Sequence, residues 1–320
     1  MKAFEPRRIL VLGTGGMIGN ATVRELTRAG HRVVCVSRTA QPGAPTDVRH
    51  ILADRTDTQT IGTVVEREAI DCVIDVLAYA AETTTPLLEL LEGRVERYVL
   101  ISSSDVYAAY GAIHGLEPQP VWDGPITERA PLRTSRFPYR GAQPRAVDAD
   151  DAWMDAYDKI PIETAVRAMQ TPWTILRLPM VFGPNDRQRR FEWMAAPMRA
   201  GANAIEAPAA WLDWVTTYGF EENVGAAIAL AAAHPEAARE VFNVVDFAPV
   251  SHRQWIARLA DHFRWSGEVR TSQGEDGALA KAVSRLNLAV PLDMSGERLS
   301  QRLGFVPPVS IGEAIVRTFA

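Results

Sequence analysis

Three glycines at three-residue spacing, Gly13, Gly16 and Gly19, stand where an apolar run ends and a helical pattern begins. Backbone free of side chains at such a junction can turn tightly and let a pyrophosphate approach. It also aims unpaired N–H groups, among them those of Met17 and Ile18, and the positive end of a helix dipole at that phosphate. A second chemical feature is the hydroxyl run Ser102-Ser103-Ser104, which closes another apolar run in the order Ile101-Ser102-Ser103-Ser104-Asp105-Val106-Tyr107. Serines there can polarise a carbonyl group, or they can simply satisfy a turn. A third is Ser37-Arg38 at the end of a β-rich run. Its guanidinium can grip a phosphate with two charge-assisted hydrogen bonds, or it can be a solvated surface group.

The elements that would hold these groups follow from hydrophobic periodicity. Ile9–Leu12 reads as a strand buried on both faces, and Gly19, Val23, Leu26 and Gly30 share one face of the helix that follows. Arg32–Ser37, Val48–Ala53, Asp71–Leu77 and Val95–Ser102 read as further strands. A helix starting near Thr56 and another over Thr84–Leu91, stopped by Gly93, alternate with them. This alternation predicts an α/β fold with a doubly wound parallel sheet of the Rossmann kind, whose ligands bind at the carboxyl ends of the strands. Strand, glycine turn, helix and second strand supply the context that makes the glycine pattern a dinucleotide site. An acid at the end of the second strand would bind a ribose 2′-hydroxyl, whereas an arginine accommodates a 2′-phosphate. No acid stands there and Arg38 does, so NADP(H) is the preferred cofactor, with NAD(H) possible. The backbone of Ala78 and Tyr79, after the fourth strand, would pass the cofactor ribose.

The second half is less regular. The stretch 108–147 lacks periodicity and is rich in proline, glycine and arginine, as expected of a loop covering a substrate. Its Arg133, Arg136, Arg140 and Arg145 could meet an anionic group or be solvated. Asp148–Gln170 reads as a helix that Pro161 must start or kink. Trp173–Leu178 is a sixth strand, Arg187–Ala200 a helix, Trp211–Val215 a strand, Gly219–Ala233 an alanine-rich helix and Glu240–Val245 a last strand of the main sheet. Ser251 with Gln254, and Ser310 with Glu313, have capping-box spacing. The expected division is a dinucleotide-binding domain over 1–178, to which 219–250 return, and a smaller carboxyl-terminal substrate lobe made of 179–218 and 251–320.

Composition narrows the function classes. With 320 residues, 47% apolar, 23% charged and a net charge of −5, the chain is ordinary for a globular protein with a large core. Nucleic-acid binding is not suggested, because no long basic run occurs. Ile9–Leu12 is too short for a signal-peptide core and Val224–Ala233 far too short for a membrane span, so a cytoplasmic protein is expected. The histidines show no ligand spacing and no metal is expected. Cys35 and Cys72 lie inside strand patterns and read as core residues. The partner expected is a small-molecule substrate, and a homodimer is left open.

Several of these motifs, in this order, resemble the extended and atypical short-chain dehydrogenases/reductases of the epimerase/dehydratase type. The shared features are G-x-x-G-x-x-G at Gly13–Gly19, the serine segment ending in Val106-Tyr107, Lys159 followed by Glu163, and the run LRLPMVFGPND beginning at Leu176. The resemblance implies that Ser103, four residues before Tyr107, bonds the substrate carbonyl. It places Asp54, with Arg55 beside it, near the adenine, and Lys159 on the ribose. The loop at Pro179 would pass the nicotinamide. The family's Y-x-x-x-K motif puts Asp155, not a tyrosine, four residues before Lys159; Tyr157 stands two residues out of register. In a regular helix Tyr157 would be turned about 200° from Lys159. The expectation is therefore that Tyr157 reaches the site through an irregular first turn and carries the proton, while Asp155 anchors Lys159. The function so implied is NADP(H)-dependent oxidoreductase, epimerase or dehydratase-type catalysis on a hydroxyl- or carbonyl-bearing small molecule. A dinucleotide-binding protein without redox turnover, regulatory or RNA-associated, and a non-redox lyase or cyclase on the same scaffold are the alternatives, because a fold does not dictate a reaction.

Overall fold

The computed structural model describes residues 4–39, 48–146, 148–272 and 278–320. Strand β1 (Arg8–Leu12) is buried at every residue but its first, and after the glycine turn comes α1 (Met17–Arg28). Then follow β2 (Arg32–Ser37), β3 (Arg49–Leu52), α2 (Thr58–Arg67), β4 (Cys72–Asp75), α3 (Ala81–Leu91) and β5 (Arg97–Ser103). Asp57 caps α2, its carboxylate accepting from the Thr60 N–H. A 3₁₀ turn (Ser104–Val106) leads into the short α4 (Ala108–Ile113). The next regular helix is α5 (Lys159–Ala168), followed by β6 (Trp173–Leu178).

The helix expected over Asp148–Gln170 is thus real only from Lys159 onward. Asp158 is its N-cap, its carboxylate accepting from the Ile160 N–H, and Pro161 falls in the first turn, where no backbone donor is lost. Before it stands a single 3₁₀ turn, Ala152–Asp155.

Beyond β6 lie β7 (Met180–Phe182), α6 (Glu192–Arg199), β8 (Ala204–Ala207), α7 (Ala209–Asp213), β9 (Val215–Thr216), β10 (Tyr218–Phe220) and α8 (Glu221–Ala233). The chain continues with β11 (Glu240–Asn243), β12 (Val250–Ser251), α9 (His252–Phe263), β13 (Glu268–Thr271), α10 (Ala278–Val283), α11 (Glu297–Leu303) and α12 (Ile311–Phe319). The strand expected over Trp211–Val215 is mostly the helix α7; Trp214 is extended after it and only Val215 belongs to a strand. Both expected late caps form; at Ser251 the Gln254 side chain closes the reciprocal box.

The main sheet runs β11-β6-β5-β4-β1-β2-β3 with every neighbour parallel. Strand order reverses between β1 and β4, the switch point at which such sheets open a ligand crevice. Alternate residues of each strand serve opposite cores. Ile9, Val11 and Cys35 pack with α1 and α8, while Leu10, Leu12 and Val34 pack with α2, α3 and α5. Helix α8 is buried nearly all round, and a Cβ on its Gly225 would lie 2.7 Å from the Ala21 carbonyl, so α1 and α8 meet backbone to backbone. Both cysteines are buried free thiols, pushed up to about 12 by desolvation. A third, strongly aromatic core joins Phe182, Phe191, Tyr218 and Trp255 from elements after β6. Among the described residues no helix is long and apolar enough to cross a membrane, and no group of three His, Cys, Asp or Glu side chains could hold a metal ion.

Candidate active site

The glycine turn is shaped by contacts that exclude side chains. Gly13 has φ +98°, a left-handed conformation suited to glycine, and a Cβ on Gly19 would stand 2.2 Å from the Gly13 carbonyl oxygen. Gly16 is exposed and N-caps α1 without any side-chain cap, and the first turn of α1 holds no acid. The backbone donors at Met17 and Ile18 therefore remain available to an anion. Gly15, Gly16, Met17 and Asn20 line one cleft with Arg187 and Arg189 from the loop after β7. At the end of β2, Ser37 donates to the Thr39 carbonyl, and Arg38 lies exposed, close enough to Asp54 to favour its ionised form. Asp54 is itself exposed and accepts from both the N–H and the hydroxyl of Thr56.

Arg55 differs from expectation. Its guanidinium is buried in a two-pronged pair with Asp75 at the end of β4, and it also donates to the Thr83 carbonyl and the Thr84 hydroxyl. Tyr98 donates to the same carboxylate at 2.8 Å. The side chain therefore ties β4 to α3 beneath the strand ends, and four of its five N–H donors are spent on protein acceptors.

At the end of β5 the pleat separates the serines. Ser102 points into the core and donates to Glu163 Oε1 at 2.7 Å. Glu163 also receives two hydrogen bonds from the buried Arg177 of β6, which in turn donates to the Tyr107 hydroxyl. Tyr107 donates to Asn243 of β11 at 2.6 Å. Ser102 and Tyr107 are thus parts of a buried network that links three strands and α5. Ser103, on the opposite face, is half-buried; it accepts from the Asp105 N–H at 3.2 Å and interacts with the Tyr157 hydroxyl.

Tyr157 and Lys159 reach the same place by strand geometry, not helix geometry. Asp158 between them is extended, with φ −161° and ψ 113°, and its N–H donates to the Tyr79 carbonyl. In an extended chain, residues two apart project to the same side. Lys159 Nζ accordingly lies 5.5 Å from the centre of the Tyr157 ring and 5.2 Å from that of Tyr79. It donates to the carbonyls of Ala78 and Ile101 at 2.6 and 2.8 Å, which leaves one of its three N–H donors free for a ribose hydroxyl. Burial lowers the Lys159 ammonium to about 8.

Asp155 does not anchor Lys159. Its carboxylate takes the Arg145 guanidinium and the Arg145 N–H, and it is held below the usual carboxylate range by those bonds. The loop arginines are likewise engaged. Arg133 and Arg136 pair with Asp158, Arg140 donates to the Asp155 carbonyl, and Arg145 also meets Asp151. They fasten the covering segment to the start of α5. Trp153, in the 3₁₀ turn Ala152–Asp155, stacks on Tyr79, with ring centres 4.5 Å apart.

Sequence reasoning missed Asp105. Its carboxyl is buried, and Oδ2 accepts from the hydroxyls of both Tyr157 (2.8 Å) and Tyr139 (3.0 Å). Desolvation raises it above the usual carboxylate range, and it pushes the Tyr157 phenol well above the usual range in turn, after burial itself. The signal was available: an ionisable residue standing among hydroxyls at a buried strand end.

With this geometry in view, residues 9–244 match the model of the NAD dependent epimerase/dehydratase family. A curated relative is the 2′-dehydrokanamycin reductase of Streptomyces kanamyceticus, 29% identical over 81% of this chain and 75% of its own. Another is chloroplast stem-loop binding protein of 41 kDa b from Arabidopsis thaliana, 23% identical over 76% of this chain; the match spans 60% of that relative's length. Among solved structures, the dTDP-glucose 4,6-dehydratase of Bacillus anthracis in complex with NAD superimposes with a TM-score of 0.68. It is 14% identical, with 98% of this chain and 95% of that one covered.

Proposed function

This chain belongs to the NAD dependent epimerase/dehydratase family, whose members are NAD(P)-dependent enzymes, and on that footing we propose that it moves a hydride to or from a carbon bearing a hydroxyl or carbonyl group of a small molecule. The convergence of Ser103, Tyr157 and Lys159 across the extended Asp158 carries the reading. The residues present fit a dinucleotide. The uncapped start of α1 would take the pyrophosphate, with Gly13 and Gly19 giving it room, and Arg187 and Arg189 lie in the same cleft. Arg38 would take a ribose 2′-phosphate, Asp54 would lie toward the adenine, the free donor of Lys159 would take the nicotinamide ribose, and Pro179 would border the nicotinamide. Ala78 and Tyr79 would border the ribose.

A bound nicotinamide supplies or accepts the hydride. The chain's own residues handle the oxygen and its proton. Ser103 would donate a hydrogen bond to the substrate oxygen, an interaction that strengthens as negative charge develops there. Tyr157, kept protonated by burial and by Asp105, is poised as the acid that protonates that oxygen in the reductive direction. The carbonyl substrate named for one relative, 2′-dehydrokanamycin reductase, accords with a reductive direction.

Two binding measurements test the cofactor assignment. In calorimetric titrations NADPH should bind more tightly than NADH, and Arg38→Ala should weaken NADPH by about 1.5–3 kcal/mol, the loss of a hydrogen bond to a charged group, while hardly changing NADH. Equal or tighter NADH binding by the unmodified protein would remove the NADP(H) preference. The second is pH dependence. Lys159 is charged below about 8 and neutral above it, so dinucleotide affinity should hold on the acidic side and fall as pH rises through that value. In Lys159→Met that fall should vanish.

A further inference from the structure

Asp105 sits at one end of a line of hydroxyls that runs away from the substrate position. Its Oδ2 holds the Tyr157 and Tyr139 hydroxyls. Tyr139 stands edge-on to Tyr110 of α4, ring centres 6.1 Å apart. Tyr110 is half-buried and packs on the exposed His114, ring centres 4.3 Å apart. The other carboxyl oxygen, Asp105 Oδ1, is buried without a hydrogen-bond partner among the described residues. An orphaned buried acceptor of that kind is destabilising, and a purely structural aspartate would not need one. Lys159, meanwhile, spends two of its donors on backbone carbonyls.

We propose that Asp105 is a proton-relay residue that links the Tyr157 hydroxyl to solvent through the half-buried Tyr139. The proposal rests on the reading of Tyr157 as the proton donor and extends it outward. In reduction, hydride from a reduced nicotinamide dinucleotide forms the new C–H bond and the C=O π pair moves to oxygen. That oxygen takes the Tyr157 proton. The phenolate recovers a proton across the Asp105 carboxylate from the Tyr139 hydroxyl, which donates to the same Oδ2, and Tyr139 is reprotonated from water. One hydride and one solvent proton are consumed, and every residue returns to its starting state. The charged and titratable groups around Asp105 are Tyr157 and Lys159 from the start of α5, Tyr139 from the covering segment and Tyr110 from α4. Arg133 completes the set; its guanidinium donates to the Asp105 backbone carbonyl.

The test reads proton exchange directly and needs neither substrate nor cofactor. In the full chain labelled with ¹³Cζ-tyrosine, the hydrogen–deuterium isotope shift reports how fast each hydroxyl exchanges with water. Tyr139→Phe leaves the Tyr157–Asp105 bond in place but cuts the line. It should slow exchange at Tyr157 on the order of 10²-fold, the scale of losing a positioned proton-transfer group. Asp105→Asn, which removes the carboxylate between the two hydroxyls, should slow it in the same sense and serves if the Tyr139 variant misfolds. In Asp105→Asn the Tyr157 phenol should ionise at lower pH than in the unmodified chain. Exchange at Tyr157 unchanged in folded Tyr139→Phe or Asp105→Asn, or an unmoved phenol titration in Asp105→Asn, overturns the relay. Because these signals come from the protein without ligand, slowed exchange combined with no dinucleotide binding would sink the redox reading while leaving the relay standing.

Discussion

Tyr157→Phe should abolish turnover while leaving the dinucleotide bound. The substitution removes one oxygen atom. The ring keeps its packing against Tyr79 and Trp153 and its edge-on contact with Tyr139, whose ring centre lies 5.1 Å away. Lys159, held by the carbonyls of Ala78 and Ile101, keeps its place. What disappears is the proposed proton donor, and loss of a positioned acid costs about 10²–10⁴-fold in rate. Oxidation of the reduced dinucleotide by a carbonyl substrate, followed by absorbance, should fall by that factor, with the cofactor Kd unchanged. Asp155→Asn should be far milder, because Asp155 serves Arg145 and not the site. Full activity in Tyr157→Phe would leave this chain without a proton carrier and would move the non-redox alternatives ahead.

The largest stability loss is expected at Glu163→Gln. Glu163 is buried, carries the Arg177 guanidinium at 2.6 and 2.9 Å and accepts from Ser102. Removing its charge leaves Arg177, almost wholly inaccessible to solvent, opposite an amide. Breaking one side of a buried ion pair costs about 3–5 kcal/mol, because the remaining charge stays desolvated. The Tyr107 hydroxyl and the Glu128 carbonyl, which also accept from Arg177, satisfy donors but supply no full negative charge. A urea midpoint near that of the unmodified protein would mean that water or Glu128 compensates. This network also explains the serine assignment, since the same pleat that commits Ser102 to Glu163 turns Ser103 to the other face.

Strands buried on both faces were legible from sequence because their signal is local. Arg32–Ser37 and Trp173–Leu178 have the expected bounds. The glycine turn was legible for the same reason. Where contacts between distant residues decide the conformation, periodicity misled. Residues 148–158 carry a helix-like pattern, yet Arg145 ties Asp151 and Asp155 together, Trp153 stacks on Tyr79, and Arg133 and Arg136 hold Asp158 extended. The apolar run at Trp211–Val215 was too short for its period to separate helix from strand, and packing of Trp211 and Trp214 around His252 accompanies the helical turn. Arg55 could not be assigned without knowing that Asp75 waits at the end of a neighbouring strand. The apparent two-residue slip of Tyr157 is a slip only against a helix. Measured against the extended Asp158, the tyrosine and lysine are in register.

A structure of the full chain with NADP(H) bound tests this account most directly. The account predicts the pyrophosphate at the N–H groups of Met17 and Ile18, the 2′-phosphate on Arg38, and a nicotinamide-ribose hydroxyl within about 3 Å of Lys159 Nζ, hydrogen-bond reach. Nicotinamide C4 should then face a space bounded by Ser103 and the Tyr157 hydroxyl. A dinucleotide seated with its nicotinamide away from Ser103 and Tyr157, or Lys159 making no contact with it, would contradict the proposed chemistry.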